Sequence, residues 1–127
     1  FPGYVADVRP LLDSFDIYVC SSMSESSPVA VLEAMAAGLP VIVSSHSGFE
    51  GIVRDGVSGF IVPPADGHAL SQALQLFLED PALIRKMGRE ARNTAASMPW
   101  SRYRDGLKAV FKALVKHQLC FFHAFQK

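Results

Sequence analysis

The sequence predicts an α/β fold, a parallel sheet flanked by helices, on three observations. Short continuous runs rich in β-branched and aromatic residues recur at Asp16-Ile17-Tyr18-Val19-Cys20, Pro40-Val41-Ile42-Val43 and Gly59-Phe60-Ile61-Val62. Each is followed at once by small polar residues or prolines, and segments of helical period lie before, between and after them. Unbroken apolar runs of this length are what strands covered on both faces require, whereas a half-exposed sheet would alternate.

In chain order, Val8, Leu11 and Leu12 keep helical spacing behind Asp7, a good N-cap, and the pattern stops before Asp16. The first strand then runs into Ser21-Ser22-Met23-Ser24. Pro28 to Ala37 reads as the next helix, with Ser27 as N-cap, Pro28 at the first helical position and Gly38 just past the end. The second strand is followed by Ser44-Ser45-His46-Ser47-Gly48, and the third stops at Pro63-Pro64. Two amphipathic helices follow back to back, one carrying Ala69, Leu70, Ala73, Leu74 and Phe77, the other opening at Pro81 with Leu83, Ile84, Met87 and Ala91. A last helix starts near Ser101 and repeats Leu107, Val110, Phe111 and Leu114. The tail from His117 to Lys127 is apolar and aromatic without a clear period.

At 127 residues, 50% hydrophobic and a mean hydropathy of +0.22, the chain has one domain's worth of sequence, too apolar for a disordered one. Twelve basic against twelve acidic side chains and a pI near 7.1 leave no electrostatic footprint for a nucleic acid or an anionic surface. The longest apolar runs fall far short of the roughly 20 residues that span a bilayer. Two cysteines and no signal-peptide pattern point to a reducing, cytoplasmic compartment. The opening Phe1-Pro2-Gly3, without a start methionine, reads as a protein that begins upstream.

Ligands of open α/β sheets collect beyond the carboxyl ends of the strands, which places the chemistry in the serine-rich loops after Cys20 and Val43. There E-S-S-P-V-A-V-L-E-A-M-A-A, Glu25 to Ala37, sets one carboxylate in the loop and a second, Glu33, just over one turn into the helix. The other residues of that helix are apolar on every side, so the helix is expected to be largely buried and Glu33 to need a partner. Either backbone or basic groups of the fold, or the hydroxyls of a ligand, would supply it. The helix start at Val29 and Ala30 offers unpaired N–H groups and the positive end of the helix dipole, a ready site for a phosphate. By itself Glu25 reads as a solvated loop acid. Cys20, closing an apolar strand, reads as a small core residue, and Arg9, Arg54 and Arg102 as solvated surface charges. The chain lacks G-x-G-x-x-G and P-loop patterns, which argues against NAD or ATP.

The run Glu25 to Pro40, E-S-S-P-V-A-V-L-E-A-M-A-A-G-L-P, resembles the E-x(7)-E signature of the family 4 retaining glycosyltransferases, the glycosyl transferase group 1 family. The match extends through G-Y-V-A-D-V-R-P-L-L-D-S-F-D-I-Y-V-C-S-S before it and P-V-I-V-S-S and I-V-R-D-G-V-S-G-F-I-V after it, covering roughly Gly3 to Val115. The resemblance implies a GT-B protein. Residues 1–115 would be the later part of its Rossmann-like C-terminal domain, which binds the nucleoside-diphosphate sugar, with 116–127 as an apolar tail.

By resemblance Glu25 contacts the donor sugar as the catalytic-side carboxylate, and Glu33 holds the ribose hydroxyls. Ser26 and Ser27 lie near the sugar, and Val29 and Ala30 near the diphosphate. The donor would carry UDP, GDP or ADP. No cofactor is implied, and no metal, since the chain has no D-x-D pair. Pro28 stands where many members carry glycine and removes one backbone donor. Gly51 occupies the usual place of a glutamate, so no role passes to Glu50.

The acceptor domain and the basic pair that clamps the diphosphate would precede Phe1, so the isolated chain is expected to be inactive. The competing expectation is a non-catalytic Rossmann-like binding module that self-associates through an exposed sheet edge.

Overall fold

The computed structural model describes residues 3–25, 29–49 and 51–124, with the backbone alone at 100 and 116–124. The chain forms two compact units, Phe1–Ser97 and Met98–Lys127. The first contains α1 (Arg9–Leu12), β1 (Tyr18–Cys20), α2 (Val29–Ala37), β2 (Val41–Ser44), β3 (Gly59–Val62), α3 (Gly67–Glu79) and α4 (Ala82–Ala96). The strands pair in parallel in the order β1-β2-β3, with Tyr18, Val41 and Gly59 in register. The expected α/β class and all three strands are therefore present.

Strand alternation divides the core in two. Tyr18, Cys20, Val41, Val43 and Ile61 pack with Leu12 of α1, Val31, Ala34 and Met35 of α2 and Ala91 of α4. On the other face Ile42, Phe60 and Val62 meet Ala73 and Phe77 of α3 and Met87 of α4, with the Phe60 and Phe77 rings edge to face at 5.3 Å. β2 is buried along its whole length, as its unbroken apolar run predicts. β1 departs from that expectation: Val19 is 40% exposed, because the helical cover on its face reaches Ile42, Phe60 and Val62 but not the outer strand.

Local capping bonds start and stop the helices, and Gly38 ends α2 as the sequence predicts. At the end of α2 the Gly38 N–H donates to the Met35 carbonyl and the Leu39 N–H to the Ala34 carbonyl, both at 3.0 Å, the paired bonds of a Schellman cap. Gly38 adopts the left-handed φ of 91° that this cap needs. The Asp66 carboxylate caps α3 by accepting from His68 and Ala69, and Asp80 accepts from the N–H of Ala82 at the start of α4. At α1 the expected cap, Asp7, accepts the Arg9 N–H at 3.1 Å although the helix itself opens one residue later, after Val8.

Among the described residues the connection from β2 to β3 has no helix. A single turn closes on the Phe49 carbonyl, which accepts from Ile52 and Val53, and buries Phe49 and Val53 in the core beside α2. The Asp55 carboxylate then accepts the Ile61 N–H at 2.9 Å, so the D-G-V-S-G-F-I-V run supplies its own partner to the edge strand β3.

The second unit carries α5 (Trp100–Ala124), a helix of 25 residues that starts within one residue of its expected place. Tyr103, Leu107, Val110, Phe111 and Leu114 are exposed on it. The domain edge expected after Val115 falls inside this helix, and the tail is continuous with it as far as Ala124. No described helix is long and apolar enough to cross a membrane.

Helix α4 lies against the end of α2 so closely that a Cβ on Gly88 would stand 2.1 Å from the Gly38 carbonyl oxygen, a backbone atom that cannot step aside. Gly88→Ala should cost about 1 to 3 kcal/mol by overpacking, read by urea denaturation. Gly106→Ala in α5, where an added Cβ has nothing within 4 Å, should instead stabilise its helix by about 0.5 to 1 kcal/mol.

Candidate functional site

Parallel pairing brings the carboxyl ends of β1, β2 and β3 to one edge of the sheet, and the loops after β1 and β2 leave from it. Backbone groups there lose their ladder partners and must find others. The buried Ser44 hydroxyl donates to the Ser22 carbonyl, joining the two loops. The buried Ser47 hydroxyl donates to the Ser44 carbonyl and closes the turn in which His46 takes a left-handed φ of 72°. Ser22 in turn donates its hydroxyl to Oε1 of Glu25 at 2.8 Å, and the Cys20 thiol reaches the same hydroxyl at 3.7 Å. A chain of hydrogen bonds thus runs from the loop after β2 to the Glu25 carboxylate.

Glu33 is exposed, which corrects the expectation of a buried carboxylate in need of a partner. The reason is that α2 packs on one side only. Val31, Ala34 and Met35 face the core, while Val29, Ala30, Glu33 and Ala36 face out, so the helix is apolar all round without being buried all round. Glu33 is the one charged residue of α2 and stands on an otherwise apolar exposed strip. Glu25 is exposed too. The expected contacts Ser26 and Ser27, with Pro28 and Glu50, lie outside the described residues.

Burial pushes the Tyr18 phenol above the ordinary tyrosine range, and the electrostatic influence of Cys20, Glu25 and Glu33 acts in the same direction, in that order. No motif in the sequence marks Tyr18, Ser22 or Ser44 as part of the site. The signal for them is positional: Tyr18 shares a sheet face with Cys20 under α2, Ser44 ends β2, and Ser22 lies two residues past the end of β1.

The remaining candidates fall where expected. Cys20 is buried in the core. Arg9 pairs with Asp7, Arg54 with Glu90 at 2.8 Å, and Arg102 is exposed. A groove of about 680 Å³ opens at the opposite end of α2, where Arg85, Lys86, Arg89 and Arg92 surround Gly38. Its basic side chains face the carbonyl end of the α2 dipole, where cations are favoured in their own right.

Residues 1–94 match the model of the glycosyl transferases group 1. The chain belongs to that family. Among group 1 relatives it is 35% identical over 100 residues to the D-inositol 3-phosphate glycosyltransferase of Streptomyces avermitilis, covering 79% of this chain and 22% of the relative. Sucrose-phosphate synthase from Thermosynechococcus elongatus has a matching fold with a TM-score of 0.79 at 29% identity, over 85% of this chain and 27% of that one. HepE of Anabaena, solved in complex with UDP and glucose, matches with a TM-score of 0.82 at 23% identity, over 89% and 31%. The chain thus spans about a third or less of these proteins. These matches place the three-stranded unit within the GT-B glycosyltransferase fold.

Because Tyr18 titrates high, its phenol is neutral in the folded protein below the ordinary tyrosine pKa of about 10 and costs stability only as the pH rises above it. Tyr18→Phe should therefore lessen the loss of stability above pH ~10. In ¹³C-tyrosine NMR, Glu25→Gln combined with Glu33→Gln should lower the Tyr18 titration while leaving the part due to burial. An unchanged titration would mean that the two carboxylates do not converge on Tyr18.

Proposed function

We propose that this group 1 glycosyltransferase segment, residues 1–115, binds the nucleoside-diphosphate sugar for a retaining transfer, with Glu25 and Glu33 on the sugar and ribose. The observation that supports it most is Glu33 on the outer strip of α2. A lone carboxylate among Val29, Ala30 and Ala36, with no burial to explain it, suits a helix face that meets a ligand both apolar and rich in hydroxyls.

On this reading the diphosphate lies at the start of α2, where the N–H groups of Val29 and Ala30 and the positive end of the helix dipole favour its charge by about 0.3 to 2 kcal/mol. Glu33, one turn further on, accepts from the ribose hydroxyls. Glu25, in the loop before the helix, accepts from the donor sugar, and Ser26 and Ser27 are assigned to the sugar by the family motif. In the transfer the bond from the anomeric carbon to the diphosphate oxygen breaks. The acceptor oxygen bonds to that carbon from the same face, and its proton passes to the departing diphosphate. The protein's part is to position the partners and stabilise the charge that develops on the leaving group.

HepE, solved with UDP and glucose, supports a nucleotide-sugar ligand by its shared fold. The acceptor and the remaining clamp on the diphosphate are assigned to a further domain, in keeping with the greater length of the relatives. The chain by itself is then a binding half that does not transfer sugar. The competing reading, a self-associating module, draws on the exposed Val19 of the edge strand β1.

Calorimetric or NMR titration with UDP, GDP, ADP and their glucose conjugates tests the proposal. Saturable binding of one nucleotide, weakened about ten- to hundredfold by Glu33→Ala, is expected, the size of a lost charged hydrogen bond. Light scattering should give a monomer of 13.8 kDa. A dimer that binds none of these ligands would favour the interaction module.

A further inference from the structure

We propose that Ser22 and Ser44 are positioning residues for Glu25: Ser44 fixes the backbone of Ser22, and Ser22 aims the Glu25 carboxylate at the donor sugar. The inference rests on the donor-site reading and assigns to that site two residues which the E-x(7)-E signature does not contain.

Glu25 lies in a loop and is exposed, so its carboxylate has many rotamers open to it, and holding one of them costs side-chain entropy. The bond from the Ser22 hydroxyl to Oε1, at 2.8 Å, offsets that cost and leaves the other oxygen, Oε2, for a ligand hydroxyl. A serine aims such a bond only if its own backbone is fixed, and Ser22 ends no helix and belongs to no strand. Its carbonyl is fixed from the side by the Ser44 hydroxyl. Ser44 is a good anchor: it is 2% exposed, ends the fully buried strand β2, and pairs in register with Val62 of β3. Ser47 donates to the Ser44 carbonyl from one turn further along, so the anchor is held on both of its sides. Cys20 completes the set by presenting its thiol to the Ser22 hydroxyl, which leaves that hydroxyl's proton for Glu25. The aim of an exposed carboxylate is thereby set by a buried hydroxyl on the neighbouring strand.

The consequence separates sugar from nucleotide. Glu33 and the start of α2 would hold the nucleotide and diphosphate, and they make no bond to this chain of serines. Loss of Ser22 should therefore remove the affinity contributed by the sugar while sparing that contributed by the nucleotide. A merely structural role would weaken both together.

The test is a set of titrations of the full 127-residue chain with UDP, GDP and ADP and with the glucose conjugate of whichever binds. The readout is the ratio of the two dissociation constants, free nucleotide over nucleotide-glucose. In Ser22→Ala that ratio should fall about three- to tenfold, the range that one hydrogen bond supplies, with the affinity for the free nucleotide within about twofold of the unsubstituted chain. Ser22→Thr, which keeps the hydroxyl, should restore the ratio. Ser44→Ala should lower it as well, and a thermal melt of each variant identifies any that does not fold. The proposal is overturned if Ser22→Ala keeps the ratio, if threonine does not rescue it, or if the unsubstituted chain binds the glucose conjugate no more tightly than the free nucleotide. Failure of the unsubstituted chain to bind any of the nucleotides overturns the donor-site reading itself, and this inference with it.

Discussion

Where three parallel strands end together, their last carbonyls and amides lose the partners that the sheet gave them, and the candidate site is made by the side chains that replace those partners. Ser44 takes the Ser22 carbonyl and Ser47 takes the Ser44 carbonyl. An unpaired buried backbone group costs about as much as a lost hydrogen bond, so small hydroxyl residues suit these places whatever the protein does. The same requirement binds the loops after β1 and β2 into one piece. Function then has a fixed edge on which to set an exposed carboxylate.

Helix α2 turns this edge into a site with direction. Its first turn, at Val29 and Ala30, lies on the side of the strand ends. Its last turn closes in the Schellman bonds of Gly38 and Leu39, against which α4 is seated through Gly88. The two ends are thus used differently. One is sealed by backbone and lined by the arginines of α4, which satisfy the negative end of the dipole. The other, at Val29 and Ala30, is the positive end of the dipole, where the proposed function seats the diphosphate.

Much of this was legible in the sequence. The runs ending at Cys20, Val43 and Val62 and the cap glycine Gly38 act through local backbone chemistry, which a linear reading captures. The E-x(7)-E spacing likewise marked Glu25 and Glu33, and the family match covers both. The exposure of Glu33 was not legible. Periodicity reports how apolar a helix is, not how many of its sides are covered, and in α2 the outward residues Val29, Ala30 and Ala36 are as apolar as the inward ones. Nor were Tyr18, Ser22 and Ser44, because their relation to Glu25 depends on strand register, which sets Val43 beside Cys20 and is absent from the order of residues. The turn at Phe49 between β2 and β3, whose buried ring packs in the core beside α2, was not read from the sequence either.

In the proposed function the donor nucleotide meets the start of α2 at the carboxyl edge of the sheet. A map of amide shifts in the ¹⁵N-labelled chain, recorded on adding the nucleotide and then its sugar conjugate, tests this most directly. Changes are expected at Val29, Ala30 and Glu33 with the nucleotide, spreading to Ser22, Glu25 and Ser44 when the sugar is present. Changes gathered instead at Arg85, Arg89 and Arg92, around the sealed end of α2, would contradict it.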